Sequence, residues 1–154
     1  LRLGWISADK QIIEKFVIAK QAMDLCTPPF TQSVAMEYCR RNLLDEHIEE
    51  NIELYRGKLA KMLEALDSYM PDHPEVKWTK PEGGLFLWVT LPEHVNTEEL
   101  FYKAVEENVA YVTGSAFYAD GGGKHTMRLN FSFPTEEQIE TGMKRLASVI
   151  KKAL

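Results

Sequence analysis

The chain has 154 residues, a length that allows one domain or a large part of a two-domain enzyme. Its hydrophobic fraction of 45% and charged fraction of 27% are typical of an ordered, soluble globular chain, and no apolar run approaches the roughly 20 residues that cross a bilayer. The net charge of -5 comes with dispersed lysines and arginines, which argues against nucleic-acid and membrane partners and leaves small molecules and other proteins.

The first residues, LRLGWIS, predict a strand with Leu1, Leu3 and Trp5 on one side and Arg2 and Gly4 on the other. A strand that is already under way at the first residue suggests a piece of a longer protein.

Two helices are expected next. Apolar residues recur at helical spacing after Asp9, which could cap a first helix, and Pro28 and Pro29 should end it. A second helix is expected to begin after Thr31.

The longest periodic segment predicts a helix from about Leu44 to Met70, ended by Pro71 and Pro74. Apolar residues separated alternately by four and three positions should keep one face buried along its length: Ile48, Ile52, Tyr55, Leu59, Met62, Leu66 and Tyr69. Such a helix is on the order of 40 Å long at 1.5 Å per residue, a length typical of a helix that bridges two lobes.

The rest of the chain alternates short strands with helices. Strands are expected at residues 76–79, 85–91, 110–112 and 127–133, and helices at residues 97–108 and after Thr135, which with Gln138 forms a capping box. The predicted fold class is therefore α/β, as an α+β layer of strands with helices on one face.

Few residues suggest chemistry by pattern alone. The four histidines share no metal-ligand spacing, and Cys26 and Cys39 stand alone as expected of buried or idle thiols in the reducing cytoplasm, so no metal site is predicted. The tract GGGKHT resembles a phosphate loop but fails the motif at Tyr118 and His125, and a flexible turn is the better interpretation.

Arg128 differs from the other charged residues. In MRLNFSF, period-two alternation places Met127, Leu129, Phe131 and Phe133 on one face and Arg128 on the other. The arginine then either faces solvent or pairs with a carboxylate, or it is an anion receptor suited to bidentate binding of a carboxylate. The same alternatives apply to Arg2, with phosphate as another possible anion.

Four stretches together resemble the C-terminal part of a fold-type-I pyridoxal-phosphate aminotransferase. They are RLGW, KPEGGLFLWVTLP, EENVAYVTGSAFYADGGGKHTMRLNFS and PTEEQIETGMKRL. The resemblance is to the class I/II enzymes, closest to the 2-aminoadipate, aromatic and kynurenine aminotransferases. Where the family commonly has proline before glycine, this chain has Thr113-Gly114.

The resemblance implies roles for two arginines. Arg2 corresponds to the arginine that binds the cofactor phosphate, and Arg128 to the arginine that receives the substrate α-carboxylate. The lysine that forms the Schiff base would lie upstream of Leu1, and none of the twelve lysines matches it, so this chain alone is expected to be inactive and contains no catalytic residue.

The resemblance also implies an organisation and a reaction. Residues 1–45 would be the C-terminal remnant of the large cofactor-binding domain, residues 46–70 the bridging helix, and residues 71–154 the small domain of a pyridoxal-phosphate-dependent transferase fold. The parent would be a cytoplasmic homodimer that transfers an amino group from an amino acid to a 2-oxo acid, with 2-oxoglutarate as the usual acceptor. Two alternatives keep the fold: a lyase with the same cofactor, and the effector-binding domain of a transcription regulator.

Overall fold

The computed structural model describes all 154 residues and contains five α-helices, one short 3₁₀ helix and four strands. The helices are α1 (Lys10–Met23), α2 (Pro29–Arg40), α3 (Leu44–Tyr69), α4 (Thr97–Glu106) and α5 (Glu136–Lys151). The strands are β1 (Lys77–Trp78), β2 (Phe86–Thr90), β3 (Val112–Thr113) and β4 (Thr126–Asn130), and the 3₁₀ helix is Gly114–Phe117.

The chain divides into two compact units, Leu1–Glu49 and Glu50–Leu154. Helix α3 begins in the N-terminal unit and ends in the C-terminal unit, and its bounds confirm the predicted long helix. No helix combines the length and apolar character that a membrane span requires.

In the N-terminal unit, neither α1 nor α2 contains a buried residue. Helix α1 starts after Asp9 as expected, whereas α2 begins at Pro29, before the predicted start after Thr31. The prediction treated Pro29 only as a helix breaker, but proline is compatible with the first helical position because its missing N–H would have no partner there.

The opening strand predicted for residues 1–7 is wrong. Residues 1–9 have no regular secondary structure, and Trp5 is 91% exposed. A strand requires a neighbouring strand for its backbone hydrogen bonds, and none of the strand pairs includes these residues. Alternation of apolar residues cannot substitute for that partner.

The C-terminal unit is built on an antiparallel sheet with the strand order β1-β2-β4-β3. One face of the sheet contributes Leu87, Val89, Met127 and Leu129 to a single hydrophobic core. The core also contains residues of α3, α4 and α5: Met62, Ala65, Leu66, Leu100, Ala104, Ile139, Met143, Leu146 and Ile150. This arrangement confirms the predicted layer of strands with helices.

Burial along α3 is uneven. Met62 and Leu66 are buried in the core, but Ile48 and Ile52 are 44% and 48% exposed, so the prediction of one buried face along the whole helix is wrong. The apolar period continues over the full helix, whereas the core cluster includes residues of its C-terminal half. Periodicity fixes which residues share a face, and only the neighbouring elements decide whether that face is covered.

The strands are shorter than predicted, and β4 ends at Asn130. The Asn130 side-chain oxygen accepts hydrogen bonds from the backbone N–H groups of Ser132 and Phe133 at 2.9 and 3.1 Å. This turn stops the alternation, so Phe131 is fully buried while Phe133, predicted on the same face, is 90% exposed. Helix α5 begins with the predicted capping box between Thr135 and Gln138.

Candidate functional site

Arg128 lies in the middle of β4, between two neighbouring strands. Its register partners are Trp88 of β2 and Val112 of β3. Met127 and Leu129 on either side of it are buried in the core, which confirms that Arg128 projects from the opposite face of the sheet. The backbone of a central strand is held in place by its neighbouring strands. A side chain on such a strand is therefore well placed to bind a ligand.

Two aromatic rings contact the Arg128 guanidinium. Its Cζ atom lies 4.0 Å from the centroid of the Phe86 ring and 4.8 Å from the centroid of the Phe117 ring, both well within the range of cation–π attraction. Arg128 is half-buried and forms no hydrogen bond or ion pair with the chain. One interpretation from the sequence was that Arg128 pairs with a carboxylate of this chain. The structure excludes that interpretation, so the N–H donors of Arg128 are available to another molecule.

Arg128 lines a cavity of about 270 Å³. The cavity is lined by Phe86, Ala110, Tyr111, Val112, Arg128 and Asn130. The Asn130 side-chain oxygen is already occupied by the turn after β4, and the Tyr111 hydroxyl donates to the Thr97 backbone oxygen at 2.7 Å. Arg128 is thus the one charged lining residue, in largely apolar surroundings suited to an anion with an apolar neighbour.

The rings belong to a larger aromatic group on the same face of the sheet. The Trp88 ring meets the Phe117 ring edge to face at 5.3 Å and lies 6.5 Å from the Tyr118 ring. We call Phe86, Trp88, Phe117 and Tyr118 the aromatic group. Because Trp88 is the direct strand neighbour of Arg128, the register of β2 and β4 places this group beside the guanidinium.

The 3₁₀ helix that presents Phe117 is fixed at its first residue. A β-carbon on Gly114 would clash with Thr126 Oγ1 and would lie 2.8 Å from the Thr126 backbone oxygen, so the two backbones approach more closely than a residue with a β-carbon allows. The Ser115 hydroxyl donates a hydrogen bond to Glu98 Oε1 at 2.5 Å. These contacts join the 3₁₀ helix to the start of β4 and to α4.

A buried polar network holds the start of β4. Thr97 Oγ1 lies 2.9 Å from the backbone oxygens of Lys124 and Thr126, and the Tyr111 hydroxyl donates to the Thr97 backbone oxygen. Burial raises the pKa of Tyr111, so its hydroxyl stays protonated as a donor. Fully satisfied buried networks of this kind restrict an element to one position, here two residues before Arg128.

Arg2 lies in the N-terminal unit and is exposed, with a positive φ of 54°. It forms no hydrogen bond or ion pair within the chain. Its guanidinium is therefore available to an anion. Arg128, the other candidate arginine, lies in the C-terminal unit.

The model of the aminotransferase class I and II family matches residues 1–146. The chain belongs to this family. It is 50% identical to aromatic-amino-acid aminotransferase 1 of Thermococcus litoralis over 99% of the chain and 36% of that protein. The chain thus spans just over a third of the length of the relatives it matches.

A solved aminotransferase structure is also similar. LysN, an α-aminoadipate aminotransferase from Thermus thermophilus, has a TM-score of 0.85 at 40% identity over 95% of this chain and 37% of its own, and it was solved with N-(5'-phosphopyridoxyl)-L-leucine. At greater distance, the HTH-type transcriptional regulator NorG of Staphylococcus aureus is 25% identical over 99% of this chain and 34% of that protein. The proteins that this chain resembles therefore carry names of different functional classes.

The remaining cysteine, lysine and acidic side chains differ from Arg128 in their surroundings. No group of three or more His, Cys, Asp or Glu side chains is placed to bind a metal. Lys61 and Lys144 have pKa values raised mainly by hydrogen bonding to Glu140, the opposite of what an amine nucleophile requires. Cys26 and Cys39 are both free and exposed.

The sequence pattern indicates Arg128 as a candidate residue, whereas the aromatic group around it was not predicted. The alternation of Phe86 and Trp88 along β2 was a usable signal, since both residues fall on the face opposite the buried Leu87 and Val89. The sequence contains no such signal for Phe117, because the position of its ring depends on where the 3₁₀ helix forms.

Proposed function

We propose that the whole protein is a pyridoxal-phosphate-dependent aminotransferase in which Arg128 receives the α-carboxylate of the substrate. The observation that supports this role is the unpaired, half-buried guanidinium on a central strand, beside two aromatic rings. An amino acid and a 2-oxo acid present the same carboxylate, and a planar guanidinium matches it with two parallel hydrogen bonds. One arginine can therefore serve both substrates.

The proposal extends to the acceptor and the assembly. We infer that 2-oxoglutarate is the amino acceptor and that the parent is a cytoplasmic homodimer that acts on small molecules. The support is the family membership and the likeness to aromatic-amino-acid and α-aminoadipate aminotransferases.

The residues of this chain fit part of a pyridoxal-phosphate site. Arg2 presents an exposed, unpaired guanidinium suited to a phosphate group, and we propose this role for it. When bound, the cofactor supplies an electron sink for the bonds to the substrate α-carbon. Within this chain, Arg128 would orient the substrate by its carboxylate and Arg2 would hold the cofactor by its phosphate.

The domain assignment is also a proposal, and the same family membership supports it. We propose that residues 1–45 belong to the large cofactor-binding domain, residues 46–70 bridge, and residues 71–154 form the small domain. Support comes from the division into compact units at Glu49 and Glu50, which lies inside α3.

We propose that the chain of 154 residues has no aminotransferase activity by itself. A Schiff-base lysine requires a depressed pKa or a neighbouring base, and the two lysines with shifted pKa values, Lys61 and Lys144, are shifted upward. Borohydride reduction of the chain with pyridoxal phosphate should trap no stoichiometric adduct at one lysine, as read by intact mass. A single stoichiometric adduct would contradict the proposal.

The decisive test of the carboxylate role is Arg128→Lys in the full-length parent. Lysine keeps the charge but loses the planar pair of donors, and a charge-assisted hydrogen bond is worth about 1.5 to 3 kcal/mol. We expect kcat/KM to fall by about tenfold to a hundredfold in both half-reactions, donor and 2-oxo acid, at saturating cofactor.

Two variants serve as comparisons for this measurement. Arg145→Lys makes the same exchange at an exposed arginine of α5 and should leave both half-reactions unchanged. Arg2→Lys should mainly weaken cofactor retention. If Arg128→Lys impairs one half-reaction and leaves the other at the parent's value, Arg128 is not the shared carboxylate receptor.

A second candidate function is supported by the match to NorG, a transcriptional regulator. In this alternative the chain is part of an effector-binding domain with an aminotransferase fold. A winged-helix DNA-binding segment encoded upstream in the same gene, together with absent turnover of any amino donor, would favour the regulator over the enzyme.

A further inference from the structure

Two phenylalanines from separate parts of the chain contact the guanidinium of Arg128. Phe86 is the first residue of β2, and Phe117 is the last residue of the 3₁₀ helix. Their ring centroids lie 4.0 and 4.8 Å from Cζ. Both rings are partly exposed, at 39% and 49%, so neither is explained as a member of the hydrophobic core.

The ring contacts leave the hydrogen-bonding groups of Arg128 unused. An aromatic face attracts a cation through its quadrupole and accepts none of the five N–H groups in the way that a carboxylate would. The contacts therefore compensate for part of the lost hydration of a half-buried charge while the donors stay free. They also limit the rotamers of a long side chain that would otherwise lose much conformational entropy when a ligand binds.

Phe117 is itself held in place by its surroundings. Trp88 packs against it edge to face at 5.3 Å, and the close approach of Gly114 to Thr126 fixes the other end of the 3₁₀ helix. Contacts therefore connect the sheet to the Phe117 ring through Trp88, and the Phe117 ring to the guanidinium of Arg128.

We propose that Phe86 and Phe117 are positioning residues that order the Arg128 guanidinium before a carboxylate arrives. The inference rests on the proposed carboxylate role of Arg128 and adds to it a reason why this arginine is free and oriented. Neither phenylalanine is assigned a contact with substrate.

The first test measures Arg128 in the chain of 154 residues without any ligand. Relaxation of ¹⁵N at arginine Nε–Hε groups should show Arg128 more ordered than Arg145, which is exposed and whose Nε–H forms no hydrogen bond, and the Arg128 proton resonance should be displaced by ring currents. Phe117→Leu and Phe86→Leu should each lower that order and move the resonance toward its ordinary position. Phe117→Tyr keeps the ring face and should retain the order of the unaltered chain.

Phe133→Leu is the matched control, because it makes the same exchange at a ring that is 90% exposed and has no contact with Arg128. It should leave the Arg128 signal unchanged. Backbone amide spectra of β4 check that each variant is folded. If Phe117→Leu does not fold, Phe86→Leu decides the question.

The second test is kinetic and uses the full-length parent. Loss of one cation–π contact at a partly exposed site should raise KM for donor and acceptor together by about two- to fivefold, with kcat changed less. Phe117→Tyr keeps the ring face and should leave both KM values near those of the parent, and a fall in kcat without a rise in KM for Phe117→Leu would contradict the positioning role.

The two proposals fail in different ways. An Arg128 Nε–Hε group as mobile as that of Arg145, or one unaffected by both leucine variants in folded protein, overturns the positioning role even where Arg128→Lys impairs both half-reactions. Ordering of Arg128 that depends on the rings supports positioning, and unchanged half-reactions in Arg128→Lys would then reject the carboxylate role alone.

Discussion

Gly114 illustrates how much a single residue can determine at this site. Any β-carbon there would meet Thr126 Oγ1 at 1.8 Å and two backbone oxygens at 2.7 and 2.8 Å, and backbone oxygens cannot rotate away. Thr113 precedes this glycine, and the glycine itself has a clear physical function. It permits the close contact between the 3₁₀ helix and β4.

Gly114→Ala is therefore expected to destabilise the chain by about 1 to 3 kcal/mol, the usual range for forcing extra volume into a packed position. Gly142→Ala is the matched control in the interior of α5, where the new β-carbon would meet only Val109 Cγ2 at 3.9 Å. It should stabilise by about 0.5 to 1 kcal/mol because glycine is a poor helix former. Urea unfolding measures both, and equal effects of the two variants would contradict the close approach at Gly114.

At the scale of elements, α3 and α5 are connected by a polar cluster around Glu140. Its carboxylate accepts hydrogen bonds from Lys144 at 2.8 Å and from the Tyr69 hydroxyl at 3.0 Å, and it pairs with Lys61 at 2.9 Å. Hydrogen bonding, first from Lys144 and then from Lys61 and Tyr69, lowers the pKa of Glu140 from 4.5 to about 2. The cluster fixes the relation between two helices that share the hydrophobic core.

The lowered pKa of Glu140 predicts the sign of a pH effect. A carboxyl group with a depressed pKa in the folded state stabilises it fully above the ordinary value of 4.5, and that stabilisation is lost as the pH falls toward 2. Glu140→Gln should lower Tm at pH 7, and the difference in Tm from the parent should narrow below about pH 4.5. Glu106→Gln, at an exposed residue of α4, should show no such difference. A Tm difference that stays constant from pH 7 to pH 3 would be inconsistent with the assigned shift.

Elements differ in how well local pattern predicted them. The capping box at Thr135 and the helical periods of α1, α3 and α5 depend on neighbours within a few residues, and these helices form as expected. The strand expected at residues 1–7 does not form, because a strand is defined by hydrogen bonds to a distant segment. Helix α3 shows the same limit. Its predicted apolar period is correct, but the predicted burial of Ile52 is wrong.

At the scale of the whole molecule, the two units differ in how their apolar side chains are used. The C-terminal unit has a closed core, whereas the N-terminal unit exposes many large apolar residues, among them Trp5, Phe16, Met23 and Phe30. Extended exposed apolar surface is typical of an interaction face. The pattern agrees with the hypothesis that residues 1–45 are part of a larger domain.

The chain of 154 residues is expected to associate or to bind a hydrophobic dye. Replacing Trp5 and Phe30, which are 91% and 79% exposed, together by serine should reduce dye fluorescence. Tyr102→Ser, at a residue 72% exposed in the C-terminal unit, is the control and should change it little. Sedimentation over a range of concentrations gives the second readout. A monodisperse monomer that binds no dye would argue that the chain is a self-contained module.

The sequence by itself determined which way Arg128 faces, because side chains alternate along any strand and Met127 and Leu129 must be buried. It also determined the family, through motifs that lie in order along the chain. Only the tertiary structure decided what stands beside the arginine: two rings from β2 and the 3₁₀ helix, and no carboxylate. The physical reason is that alternation and periodicity are local properties of the backbone, whereas the partner of a side chain depends on strand register and on loops that bring distant residues together.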